Sequence, residues 1–229
     1  MSSKAFLGVL MLDTRFPRVV GDAGNVDSYP YPARTQVVKG AGSLDIVKDG
    51  LPSKHLVESF CKAAQLLEFE GARAIVSSCG FLISVQNHIA EAVNIPVMVS
   101  ALSLYSVVKK HDAGKPIGII TASKKSLGDE AIELAGINKK DVYIAGMEDC
   151  AAFANTFLRT KVEQSLTLDK QGIEQAVVNK AELLLAKHPQ ISSFILECGN
   201  LPPYSDAIQQ ATGLPVYSIL DAADHLMSL

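Results

Sequence analysis

The chain has no tryptophan, and its 21 Lys and Arg are outnumbered by 24 Asp and Glu, for a formal charge of -3. Basic residues never run longer than a pair, so neither the charge nor the indole stacking that nucleic acid calls for is present. Long apolar stretches are missing as well. None reaches the roughly 20 residues of a membrane span, and no membrane partner is expected. The apolar run 5–12 is short, is stopped by Asp13, and lacks both a basic flank and a small-residue cleavage site. It reads as a buried strand rather than a signal peptide, and a cytoplasmic location is expected. Cysteine is scarce: Cys61, Cys79, Cys150 and Cys198 lie far apart, with no CxxC and no His at ligand spacing. Neither a zinc site nor a disulfide framework is suggested, so free thiols and no metal are expected. Gly40-Ala-Gly42 is too short for a dinucleotide fingerprint and does not directly follow a strand, which argues against NAD.

What is present is an alternation. Short apolar runs rich in β-branched residues predict strands over 5–11, 74–78, 97–99, 117–121, 142–145, 194–197 and 216–219. Segments of helical period predict helices over 54–70, 82–93, 102–110, 126–135, 150–158, 170–187 and 203–211. That order is the signature of an α/β protein with parallel sheets. Residues 14–49, rich in Gly and Pro, break the alternation. A loop of that length after a first strand is more often functional than incidental. Within it, Tyr29-Pro30-Tyr31-Pro32 reads either as a lid edge or as a rigid turn.

The chain also repeats itself. Ala74-Ile-Val-Ser-Ser-Cys79-Gly80 recurs as Ser193-Phe-Ile-Leu-Glu-Cys198-Gly199. Asn94-Ile-Pro96-Val97 then answers Gly213-Leu-Pro215-Val216 at the same distance from each cysteine, and Leu7-Gly8-Val9-Leu10 resembles Ile117-Gly118-Ile119-Ile120. Two copies of one α/β unit imply two lobes, expected at 1–101 plus 212–229 and at 102–211, with equivalent residues on opposite walls of a cleft. Each cysteine falls at the carboxyl end of a strand, the edge where open α/β sheets bind ligands. A helix beginning there is expected to lower the thiol pKa toward neutrality. Cys61 and Cys150, set in apolar helical segments, are expected to be core thiols.

This layout resembles the aspartate/glutamate/hydantoin racemase superfamily over nearly the whole chain. The resemblance implies two pseudo-symmetric flavodoxin-like lobes, no cofactor, a small carboxylate substrate and a homodimer. It implies that Cys79 and Cys198 flank the substrate's α-carbon, one taking a proton as thiolate while the other delivers one as thiol. Bases on facing walls need no swing of base or substrate. Members of that family often follow the first cysteine with Asn-Thr, where this chain has Gly80-Phe81. They often have Cys-Thr followed by His or Glu, where this chain has Cys198-Gly199-Asn200. These departures point to a substrate other than free aspartate or glutamate.

Charge developing on the substrate carboxylate needs donors, and backbone amides at Ser78, Gly80, Phe81 and Gly199 are expected to border that site. Thr121 and Ser123 stand where the family binds carboxylate, and they read equally as helix caps. Asn200 offers a side-chain amide. Arg15 is the expected clamp for a distal acidic group, with Asp13 a second-tier candidate. The leading expectation is a racemase or epimerase. A decarboxylase or cis-trans isomerase of a dicarboxylate is the alternative within the superfamily, and a non-catalytic carboxylate-binding protein is the alternative outside it.

Overall fold

Parallel strands buried on both faces must be almost wholly apolar, and the central strands at 6–12, 117–121 and 193–196 meet that condition. The computed structural model describes residues 5–229; residues 1–4, part of the first lobe's expected span, lie outside it. The first sheet is built from β1 (Phe6–Leu12), β2 (Ala33–Val38), β3 (Ala72–Ser77) and β4 (Val97–Met98), in the order β2-β1-β3-β4. The second uses β5 (Ile117–Thr121), β6 (Val142–Gly146), β7 (Ser193–Leu196) and β8 (Val216–Tyr217), in the order β6-β5-β7-β8. Every pairing is parallel. The registers match as the repeat requires: Leu7 pairs with Ala74 as Ile117 pairs with Ser193, and Ile75 with Val97 as Phe194 with Val216. The α/β fold of two parallel-sheet lobes is therefore the one expected from the repeat.

Helices carry the crossovers. In the first half these are α1 (Ser43–Ile46), α2 (Lys54–Phe69), α3 (Gln86–Ala92) and α4 (Tyr105–His111). In the second they are α5 (Asp129–Leu134), α6 (Ala151–Phe157), α7 (Lys170–Lys187), α8 (Ser205–Thr212) and α9 (Ile219–Met227). In α2 the spacing of Leu56, Phe60, Ala63, Ala64 and Leu67 puts all five on one buried stripe. Ser53 caps its start by accepting from Leu56 N at 3.4 Å.

Three details depart from the sequence expectations. Residues 14–49 are not wholly irregular, because they contain β2 and α1. β2 is an edge strand, mostly half-exposed and carrying Arg34, Thr35 and Gln36, so its signal is weak among the neighbouring Gly and Pro. The strand expected over 216–219 is present as β8 but stops at Tyr217, and the chain goes on from Ile219 as a helix, α9, that was not expected; Ser218 caps it through a reciprocal bond with Asp221. The lobe boundary also differs. Since β8 pairs with β7, residues 216–217 belong to the second sheet, and α9 is what crosses back to pack on β3 and β4. Helix α4 reaches the other way: Tyr105 Oη donates to Asp141 at 3.2 Å, and Lys109 pairs with the same carboxylate.

Candidate active site

Both repeated cysteines stand just beyond a strand end. Cys79 follows β3 and opens a 3-10 turn, Gly80–Val85, and Cys198 follows β7 ahead of the turn Pro202–Tyr204. Both thiols are buried and free, and both line a single cavity between the lobes. The two glycines that follow them explain how the lobes come so close. A methyl group at Gly80 would collide with Glu197 O and Oε1, and one at Gly199 would collide with Ser78 O. Ser78 and Glu197 are themselves equivalent positions of the repeat, so each lobe presses its post-cysteine glycine against the residue before the other lobe's cysteine. A side chain at either glycine would drive the two walls apart.

The rest of the lining is mostly apolar: Leu12, Phe16, Val47, Phe81, Phe157 and Leu158. The cavity measures about 20 Å³, and a water molecule needs roughly 10–15 Å³ on the same measure. The site is closed. Over it the lobes are tied by an edge-to-face pair, Phe16 and Phe157, with centroids 4.8 Å apart, and by buried Gln164. The Gln164 amide accepts from Arg15 N at 2.9 Å and donates to Ser43 Oγ at 3.2 Å. An ion pair of Asp13 with Lys161 lies at the rim.

Of the sequence-predicted site residues, Cys79, Cys198, Ser78, Gly80, Phe81 and Asn200 border the cavity. The others do not. Arg15 is exposed, and only its backbone takes part, in the bond to Gln164. The guanidinium at the cavity belongs to Arg18, three residues on. Arg18 lies 4.7 Å over the Phe16 ring, pairs with buried Asp22 at 2.7 Å and donates to Thr14 Oγ1 at 3.1 Å. Asp22 also accepts from Asn200 Nδ2 at 2.7 Å, and Asn200 Oδ1 accepts from the Cys198 thiol at 3.6 Å. A chain of contacts thus runs from Cys198 to Arg18. Sequence reasoning marked the long segment but not these residues, because nothing local to Arg18 or Asp22 sets them apart from other loop charges. Thr121 lies behind the cavity and donates to Glu197 Oε2 at 2.8 Å. Ser123 bonds with Ser126 as a turn cap, and Gly199 supplies close packing. Tyr29 is a buried strut whose hydroxyl donates to Ala23 O at 2.7 Å, and Tyr31 reaches Asp224 of α9. Cys61 and Cys150 are half-buried and packed against the core rather than fully inside it.

The expected depression of the thiol pKa values is reversed. Burial, followed by the Glu197 charge, pushes Cys79 up to about 12, against weaker help from the backbone N–H groups of Phe81 and Leu82 and from Arg18. Cys198 is raised well above the ordinary thiol range by burial, by Glu197 and by Cys79 itself. The turns after the cysteines are short 3-10 segments with little dipole, so desolvation wins. Glu197, wholly buried, has its own carboxyl pushed up to about 7 by desolvation.

No family model matches the chain. It is 32% identical over 227 residues to a dimethylsulfoniopropionate lyase of Durusdinium sp. clade D, a match covering 96% of this chain and 73% of that protein. The chain belongs to the dimethylsulfoniopropionate lyase family. Dimethylsulfoniopropionate lyase 3 of Emiliania huxleyi is 29% identical over 232 residues, with 97% of this chain spanning 59% of that relative's length. Among solved structures, allantoin racemase of Pseudomonas fluorescens superposes with a TM-score of 0.62 at 16% identity, over 97% of this chain and 90% of that one. Unliganded arylmalonate decarboxylase gives 0.57 at 15% identity, over 95% and 88%. Glutamate racemase of Bacillus anthracis gives 0.59 at 17%, over 98% and 81%. The fold of this family member is that of the aspartate/glutamate racemase superfamily. No helix among the described residues is long and apolar enough to cross a membrane.

Proposed function

We propose that the protein is a lyase that splits dimethylsulfoniopropionate by removing a proton from the carbon next to the carboxylate. The observation that carries this reading is the pair Cys79 and Cys198 lining one small cavity of a chain with lyase relatives. One thiolate takes the α-proton and becomes a thiol. The electrons left on carbon form the double bond, the β-carbon–sulfur bond breaks, and its electron pair leaves with sulfur. The products are acrylate and neutral dimethyl sulfide, so charge and atoms balance.

The cavity's chemistry suits such a substrate. Negative charge growing on the carboxylate is met by backbone N–H groups beyond the cysteines and by Arg18. The sulfonium is a weakly hydrated cation, for which the rings of Phe16, Phe81 and Phe157 offer favourable faces. Its positive charge, held in a mostly apolar cavity, also favours the thiolate that burial opposes. The substrate therefore helps to ionise its own base.

Dimethyl sulfide released into the headspace measures the reaction. Cys79→Ala and Cys198→Ala are each expected to lower kcat/KM for dimethylsulfoniopropionate by about 100-fold or more. A wild-type protein that releases no dimethyl sulfide, or two variants with undiminished turnover, would overturn the reading. A second reading, inversion at a stereogenic α-carbon, is favoured by the presence of two thiols where elimination needs one base. Its measurement is the appearance of the opposite enantiomer from a chiral α-substituted carboxylate in deuterated water.

A further inference from the structure

Glu197 is a carboxyl that the proposed reaction leaves unused. It directly follows β7 in the interior, wholly buried, with Oε2 held by the Thr121 hydroxyl at 2.8 Å and Oε1 without a hydrogen-bond partner. Its place is fixed from both lobes. Thr121 of β5 holds one oxygen, and Gly80 of the facing lobe has no side chain because Glu197 occupies that space. It precedes Cys198 directly and packs against the residue that follows Cys79.

We propose that Glu197 is a positioning residue whose protonation state decides how readily Cys79 and Cys198 ionise. This rests on the reading of the two cysteines as an acid/base pair. Negative charge on buried Glu197 opposes negative charge on either neighbouring thiol in this desolvated interior, so an ionised Glu197 disfavours a thiolate. With its proton in place, Glu197 leaves the single negative charge to a thiol. Other charged or titratable groups face this cluster. They are the two thiols themselves, Arg18, which favours the Cys79 thiolate, and Asp22, which opposes the Cys198 thiolate. Arg18 and Asp22 are paired with each other at 2.7 Å. Glu197 is the neighbour whose charge changes near neutrality, because burial keeps its proton to about pH 7.

The test compares the pH dependence of ultraviolet thiolate absorbance in the wild-type protein and in Glu197→Gln. Each is measured as a difference from the same protein carrying Cys79→Ala and Cys198→Ala, which cancels Cys61, Cys150 and the tyrosines. Gln keeps the shape and the acceptor for Thr121, so a purely structural Glu197 predicts coincident curves, and coincident curves would overturn the proposal. The expected result is a thiolate titration in Glu197→Gln displaced to lower pH by about one unit or more. Should Glu197→Gln fail to fold, the infrared spectrum of the wild-type protein decides. A protonated-carboxyl band persisting at about pH 6 supports the proposal, and its absence there overturns it. Neither measurement depends on turnover, so a failure here is distinct from a failure of the lyase reading.

Discussion

A carboxyl held without water keeps its proton at a pH where an exposed one has lost it, and Glu197 carries that consequence into stability. Its folded-state value of about 7 stands above the ordinary 4.5. Between those values the unfolded chain has released a proton that the native protein still holds. The unfolded state then binds fewer protons, and stability falls as pH rises through this window. The loss levels off above about pH 7, and it amounts to about 3 kcal/mol on the linkage arithmetic. Glu197→Gln carries no such penalty. Denaturant unfolding is expected to show the variant gaining on the wild-type protein between about pH 5 and pH 8, whereas a gap independent of pH would contradict the assignment. The raised thiols belong at this scale too. Cys79 and Cys198 were legible in the sequence as a matched pair, but their pKa direction was not, since burial is a property of the assembled lobes.

At the scale of elements, the segment between α6 and α7 holds the cavity shut. Gln164 is buried there and bonds to Arg15 N, to Ser43 Oγ and, within its own segment, to Arg159 O. Two of those bonds cross between lobes, and the segment around Gln164 is otherwise exposed. Such an element opens locally at low cost once its anchor is gone. Gln164→Ala is expected to raise the rate of iodoacetamide modification at Cys79 and Cys198 by about tenfold, the ratio for a loss near 1.4 kcal/mol, as read by peptide mass spectrometry. An unchanged rate would place the entrance elsewhere. The modification rate at half-buried Cys61 serves as the internal control and is expected to stay as it was.

The whole molecule is two copies of one unit fastened by exchanged ends. α4 leaves the first copy to meet Asp141, and α9 leaves the second to cover β3 and β4 with Ile219, Ala222, Ala223 and Leu226 buried. Neither lobe is finished without the other's helix. A chain ending at Ser218 would expose the apolar face of the first sheet. It is expected to lack a single cooperative unfolding transition when followed by circular dichroism, because burial of each large apolar side chain contributes about 1.5–3 kcal/mol. A truncated chain that melts like the full one would show that the exchange is dispensable.

The order of strands and helices, the repeat and the two cysteines all follow from the sequence, because hydrophobic period and spacing are local, countable properties of the chain. The register of the two sheets only restates that spacing. β2, the destination of α9, and the choice of Arg18 over Arg15 are different. β2 pairs with β1 only 26 positions away, through a half-exposed run of Arg, Thr and Gln that carries no strand signal of its own; the other two depend on which residues meet across a gap of more than a hundred positions, and three residues of loop geometry decide which guanidinium faces the cavity. Contact between the lobes, with Gly80 against Glu197 and Gly199 against Ser78, turned two cysteine-glycine pairs from a pattern into one enclosed site. Desolvation exists only once that enclosure is complete, which is why the protonation of its groups was decided in three dimensions.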